Sequence, residues 1–280
     1  MTKHNCDICG CNRAFEVPHA RLYTADQPIH ICSDCGFVYV RDRRSAEEIA
    51  ASWSDEVFGE AYTARIPAVR ARQTYVADFI DVTLGLAGKQ LLDIGAGEGQ
   101  FLEIARDIYK AKVFGIEPSA GNCATLKSNG IDHLHGTIES ANEGNVPVKA
   151  DIATIMWTLE NCQSCNEMIT RAHGLLKDGG HIAVATGSRI MVPFKKALHD
   201  YLSTRPTDLH SFRFSANALQ SLLRKCGFDI VAVNRFQDTE YLTVIGQKRT
   251  TPAEDWLVKD DPIKVYDFFD RWHKETIHHR

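Results

Sequence analysis

Twelve residues, LLDIGAGEGQFL at positions 91–102, limit what this chain can become more than any other stretch. A short apolar run suited to a buried parallel strand carries Asp93. Gly95, Gly97 and Gly99 follow at alternate positions, and a helical pattern begins at once. Glycines there let the backbone turn sharply at the carboxyl end of a strand and let a ligand approach the main chain within van der Waals distance. A strand that ends this way needs parallel neighbours, and the rest of the sequence offers them.

Strand and helix patterns alternate after residue 89. KQLLDIG leads into a helix over 100–109, and AKVFGIEP into a helix over 119–128 closed by Asn129 and Gly130. GIDHLHG is a weaker third strand and ADIATIMW a strong fourth. The helix over 165–177 puts Met168, Ile169, Ala172, Leu175 and Leu176 on one face before an Asp-Gly-Gly stop, and HIAVAT is the fifth strand. Ser215 caps a helix carrying Leu219, Leu222, Leu223 and Cys226, after which DIVAVNRF and YLTVIGQK form a closing strand pair. This order predicts an α/β fold with a doubly wound, mostly parallel sheet. Upstream, Ser45 and Glu48 read as a capping box that starts a helix to about Trp53. Beyond a polar stretch with Gly59, a second helix runs from Pro67 to about Leu84, with Val69, Val76, Ile80 and Leu84 on one face. The expected division is a small ribbon over 1–42, a helical linker over 43–88, the main domain over 89–250 and a tail over 251–280. That tail reads as an amphipathic helix with Val265, Phe268, Phe269 and Trp272 together.

Glu117 stands 24 residues after Asp93 at the end of the second strand, placed to accept ribose hydroxyls. A dinucleotide site requires Gly-x-Gly-x-x-Gly facing a pyrophosphate. Here the third glycine comes one residue early, and Asp93 would repel a pyrophosphate and attract an ammonium. S-adenosylmethionine, with an adenosine end and a cationic amino-acid end, satisfies both facts. On LLDIGAGEG, GIEPS, ADIATIMWTLEN and LLKDGGHIAVAT, residues 67–247 resemble the class I S-adenosylmethionine-dependent methyltransferases. The resemblance implies a seven-stranded Rossmann-like sheet whose last strand is antiparallel. It also implies that Asp93, Gly95, Gly97 and Gly99 contact the methionine part and Glu117 the ribose. Thr137 and Ile138, after Gly136, would lie near adenine, and Trp157 would line the pocket. Many relatives end the fourth strand in Glu-His, where this chain has Glu160-Asn161.

Five of the nine cysteines fall within the first 40 residues, where periodic apolar pattern is scarce. Cys6-x-x-Cys9 and Cys32-x-x-Cys35, 22 residues apart, have the spacing of a two-knuckle zinc ribbon. A segment of about 40 residues with so few large apolar side chains buries too little core to stand without a staple. Four thiolates leave no open coordination position, so the expected ion is a structural zinc. Cys11 is a fifth thiol near the register, His30 a weaker ligand candidate, and Cys162 and Cys165 read as incidental thiols. The N-terminus shows no apolar h-region, which gives the reducing cytoplasm as the expected compartment. No apolar run reaches the ~18 residues of a membrane span.

Methyl transfer from a sulfonium is an in-line displacement. The protein therefore aligns the acceptor, excludes water and, for a hydroxyl or carbon acid, removes a proton. His210, expected on the loop after the fifth strand, is the first base to consider, with a locally bonded loop histidine as the alternative. Glu160, at the end of the fourth strand, is the second. The ribbon, the class I core and His210-x-x-x-Phe214-Ser215 together resemble methyltransferases of nucleotide-linked deoxysugars. Relatives that methylate carbon carry Tyr-x-Glu-His where this chain has Thr207-Asp208-Leu209-His210, so a sugar hydroxyl stands beside carbon as the acceptor. Arg189, Lys195, Lys196, Arg205 and Arg213 form either a diphosphate clamp on the acceptor side or a solvated face. Two other readings remain. Ribosomal-RNA base methylation is disfavoured by the formal charge of −4 and the lack of a basic cluster, and a non-catalytic platform would bind no cofactor.

Overall fold

The computed structural model describes residues 2–24, 28–49, 66–142, 144–147, 149–194, 196–202, 210–234, 241–251 and 254–279. The N-terminal region holds β1 (Thr2–Lys3), β2 (Ala14–Glu16), β3 (Ile29–Cys32), β4 (Val38–Val40) and β5 (Asp42–Arg43). A helical turn at residues 46–49 follows, then α1 (Ile66–Leu84). The core alternates through β6 (Gln90–Ile94), α2 (Gln100–Asp107), β7 (Lys112–Glu117), α3 (Ala120–Ser128), β8 (His133–His135), β9 (Ala150–Met156), α4 (Cys165–Leu175) and β10 (Leu176–Thr186). The chain ends through α5 (Leu198–Leu202), β11 (Phe212–Arg213), α6 (Ala216–Lys225), β12 (Phe228–Val233), β13 (Leu242–Lys248) and α7 (Pro262–Thr276).

The main sheet has the order β12-β13-β10-β9-β6-β7-β8. Strands from β8 to β10 run parallel, and β13 runs antiparallel to both of its neighbours. This is the seven-stranded, mostly parallel Rossmann-like sheet that the sequence implied. Its order reverses between β7 and β9 around β6, and such a switch point opens a crevice at the carboxyl ends of the strands. The central strands are covered on both faces, which is why β9 and β10 read as continuous apolar runs: Ile152, Ala153, Ile155, Ile182, Val184 and Ala185 are all buried.

The capping box forms: Ser45 N–H donates to Glu48 Oε2 at 2.7 Å, and Glu48 N–H to Ser45 Oγ at 3.2 Å. The expected continuation of that helix to Trp53, and Gly59, lie outside the described residues. One boundary differs. Helix α4 stops at Leu175, because the fully buried Leu176 already pairs with Ala150 in the sheet. The Asp-Gly-Gly run is therefore an irregularity inside β10, between Leu176 and His181, rather than a helix stop; Gly179 takes it up at φ 72°.

The ribbon sheet has the order β11-β4-β3-β2, so its fourth strand comes from the segment before α6: Phe212 lies opposite Tyr39, and Arg213 opposite Val38. Phe37, Tyr39, Phe212 and Phe214 stack at this seam. Val265, Phe268, Phe269 and Trp272 of α7 pack on the other side of the ribbon, against Val17, Ile29, Ile31 and Val40. Among the described residues, no helix is long and apolar enough to cross a membrane.

Candidate functional site

A cavity of about 250 Å³ opens where β6, β7 and β9 end. Asp93, Gly95, Gly97, Glu117, Thr137, Ile138 and Trp157 line it, which brings together seven of the eight residues expected at the cofactor. Gly99 does not line it. It takes φ 90° as the N-cap of α2, and a Cβ there would sit 2.6 Å from Leu126 Cδ2. Gly95 is likewise required by packing, since a Cβ would meet Thr158 Cγ2 at 2.4 Å. Gly97, at φ 57°, faces open space within 4 Å and so is the glycine that leaves room for a ligand.

The two acids differ in how they are held. Asp93, almost fully buried, accepts from Thr154 Oγ1 at 2.7 Å. Burial pushes its pKa up to about 7, with the Thr154 bond opposing and the Glu117 charge adding to the rise. A carboxyl raised in this way stabilises the fold at low pH, and that contribution is lost as pH rises from about 4 through 7. Holding an ammonium demands the ionised form. Affinity for S-adenosylmethionine is thus expected to rise about 5-fold between pH 6 and 7, below the ligand's own ammonium titration, and to stay flat in Asp93→Asn. Titration calorimetry checks this.

Glu117 Oε2 accepts from Gly97 N–H at 2.8 Å, while Oε1 accepts from Ser119 N–H at 2.9 Å and Asn122 Nδ2 at 3.1 Å. Three of roughly four acceptor sites are filled by the protein, which fixes the carboxylate and leaves Oε2 room for a ribose hydroxyl. Glu117→Ala strips the glycine loop of its anchor as well as the expected ribose bond. It should weaken S-adenosylmethionine binding by about 1–3 kcal/mol, read as the change in calorimetric affinity, with zinc content unchanged.

His210 and Glu160 do not reach the cavity lining. His210 Nδ1 is hydrogen-bonded with Ser188 Oγ. Burial, helped by the charges of Arg213 and Lys196, pushes its pKa down to about 3. Glu160 is buried, its pKa raised by desolvation, and Oε1 accepts from Gly187 N–H at 3.0 Å. Arg189, Lys196 and Arg213 also stand away from the lining. Arg189 donates to Tyr241 O at 3.1 Å and Arg213 to His210 O at 2.7 Å, so the described members of the expected diphosphate clamp are not gathered at the cavity. Lys195, Arg205, Thr207, Asp208 and Leu209 lie outside the described residues. Cys162 and Cys165 are buried thiols whose pKa values burial raises, the inert state expected of incidental cysteines.

Other lining residues were not expected at the cofactor from sequence: Ala46 and Ile49, Val69, Arg72 and Gln73 of α1, Asn161, Gln163 and Met168. Arg72 lies 4.4 Å above the Trp157 ring. Trp157 itself sits at φ 57°, a conformation that costs an aromatic residue energy and that functional sites often retain. Gln73 was detectable in principle, being a polar residue on the buried stripe of Val69, Val76 and Ile80.

The metal centre is built as its spacing implied. The Sγ atoms of Cys6, Cys9, Cys32 and Cys35 all lie within 4.8 Å of one another, at 3.6 Å for Cys6 to Cys35 and 3.5 Å for Cys9 to Cys32. These distances are too long for disulfides and close to the ~3.8 Å edge of a tetrahedron with Zn–S near 2.3 Å. All four thiols are committed, so the zinc they are positioned to hold is structural. Cys11 instead contacts Arg13, and neither it nor His30 joins the cluster.

The model of a family described as methyltransferase domain matches residues 68–233. The ubiquinone biosynthesis O-methyltransferase of Pseudomonas aeruginosa strain LESB58 is 29% identical over 164 residues, covering 55% of this chain and 70% of that protein. Its namesake from Dechloromonas aromatica strain RCB is 27% identical over 161 residues, covering 50% and 68%. The structure of Burkholderia thailandensis 1,6-didemethyltoxoflavin-N1-methyltransferase with bound 1,6-didemethyltoxoflavin and S-adenosylhomocysteine is similar in fold. It has a TM-score of 0.56 and 15% identity over 77% of this chain and 97% of that one. The family match covers more than half of the chain and spans the glycine loop, Asp93, Glu117 and Trp157. This chain belongs to the methyltransferase domain family and is an S-adenosylmethionine-dependent methyltransferase.

Proposed function

We propose that the acceptor is a hydroxyl of a small, polyhydroxylated molecule, with a nucleotide-linked sugar as the best-suited class. One observation carries the reading. Gln73 and Trp157 are lining residues, and Gln73 Oε1, an acceptor, and Trp157 Nε1, a donor, are buried without a hydrogen-bond partner among the described residues. Buried polar atoms left unmatched cost free energy, and a hydroxyl both donates and accepts. Amides at Asn161 and Gln163 extend the same chemistry, and Arg72 is the cation among the described lining residues that suits a phosphate.

Bound S-adenosylmethionine supplies a methyl group made electrophilic by its sulfonium. The chain orients that ligand through Asp93 and Glu117, while Trp157 borders the acceptor and keeps water from the line of attack. His210 and Glu160 act here as positioning residues, and the acceptor's proton passes to water as its oxygen takes the methyl group and the C–S bond breaks. They hold Ser188 and Gly187, and a Cβ on Gly187 would sit 3.2 Å from the Trp157 ring. His210→Ala is then expected to lower turnover less than about 10-fold, with no change in the pH profile between 5 and 8. A fall of about 10² or more, with loss of an acid limb, would return His210 to the role of base.

A phenolic hydroxyl is the second reading, favoured by the apolar Ile49, Val69 and Met168 of the lining. The curated relatives are also named ubiquinone biosynthesis O-methyltransferases. Mass spectrometry of nucleotide sugars and of phenols, each incubated with protein and S-adenosylmethionine, separates the two. A mass gain confined to the phenols sinks the sugar reading.

A further inference from the structure

Arg43 closes the ribbon and is one of the largest fully buried side chains in the molecule, 1% exposed. A guanidinium is costly to bury unless its donors are matched. Nε donates to Val40 O at 2.7 Å, and Nη1 to Gln163 O at 2.6 Å and Asp7 Oδ1 at 3.0 Å. Nη2 pairs with Asp7 Oδ2, and the cation lies 4.4 Å from the Phe212 ring centroid. Asp7, itself buried, sits between the zinc ligands Cys6 and Cys9, and its carbonyl accepts from Lys225 Nζ at 2.6 Å.

One other partner of Arg43, Gln163, belongs to the cavity. Gln163 lines it beside Asn161 and Cys162, and Ala46 and Ile49, just downstream of Arg43 in the chain, line it too. One buried charge thus ties the Gln163 stretch of the lining directly to the ribbon, with the 46–49 turn joined to it through the chain, and its counter-charge is set by the first zinc knuckle. The cofactor end depends on none of these bonds: Asp93 is held by Thr154, and Glu117 by Gly97, Ser119 and Asn122.

We propose that Arg43 is a positioning residue that transmits the geometry of the first zinc knuckle to the acceptor wall, so that metal occupancy shapes the acceptor site and spares the cofactor site. Placing the acceptor at that wall rests on the function proposed above. When the knuckle loosens, Asp7 leaves the guanidinium, an unpaired buried charge results, and the 161–163 turn and the 46–49 turn lose their common anchor.

Hydrogen exchange read by mass spectrometry on the full zinc-loaded chain tests this, comparing wild type with Arg43→Lys. Lysine keeps the charge and loses the paired donors. The reporters are the Asn161 amide, bonded to Thr158 O, and the Ile49 amide, bonded to Ser45 O. Expected is exchange about 10-fold faster at both reporters, and under about 2-fold faster at the Gly95 and Gly97 amides. Zinc stays at one per chain, and S-adenosylmethionine affinity stays within about 2-fold. Unchanged exchange at Asn161, or uniform acceleration along the chain, overturns the proposal, since a merely structural residue would loosen everything alike.

If Arg43→Lys does not fold, Asp7→Asn and chelator-treated wild type carry the same test. Each is expected to give the same local pattern, and exchange at Asn161 that stays unchanged in both again overturns it. Absence of S-adenosylmethionine binding by wild type would instead break the functional reading, which the exchange pattern does not require.

Discussion

Gly97→Val is expected to abolish detectable S-adenosylmethionine binding while leaving zinc content and the far-ultraviolet spectrum unchanged. Two effects add. A branched side chain would occupy the open space in front of residue 97, and valine at φ 57° strains the backbone. The strain also displaces the amide that donates to Glu117, so that carboxylate loses part of its support. Gly97→Ala separates the contributions: a single methyl should cost about 10- to 100-fold in affinity where valine costs all of it. Calorimetric titration of both variants decides, and undiminished affinity in Gly97→Val would overturn the assignment of this loop.

The second large effect belongs to the ribbon. Replacing Cys6 and Cys9 together by serine should take the zinc content from one per chain to none by elemental analysis. Structural zinc contributes about 10–16 kcal/mol of apparent binding free energy in small domains, so its loss should melt the ribbon. Because α7 and β11 pack on that ribbon, the thermal transition should broaden and move down well beyond the ribbon's own share of the chain. Protein purified without chelators that carries no metal, or a double variant that keeps it, contradicts the assignment.

The parts of this molecule legible in its sequence are those written locally. Strand β6, its glycine loop and α2 follow from apolar period and glycine spacing within a dozen residues, and the zinc ligands from two short repeats. Ser215 caps α6 as expected, by accepting from the backbone amide three residues on. What was not legible depends on distant partners. Two residues, Phe212 and Arg213, become a strand only because Tyr39 and Val38 offer an edge. Arg43 reads as one more surface arginine until Asp7 and Gln163 are brought to it. For His210 a sequence shows a histidine near an expected crevice but neither the burial that lowers its pKa nor its bond with Ser188.

The pairing of β4 with β11 joins segments roughly 170 residues apart, which has a consequence for the order of events at the ribosome. The first forty or so residues emerge with their metal ligands complete but with one edge of their sheet unpaired, and that edge must wait for most of the chain to be made. Such long-range closure slows folding and leaves a strand edge open to pairing with another chain. Early metal capture rigidifies the nascent ribbon before its natural partner arrives, so metal starvation during synthesis would show first as aggregation of new chains, with finished molecules spared.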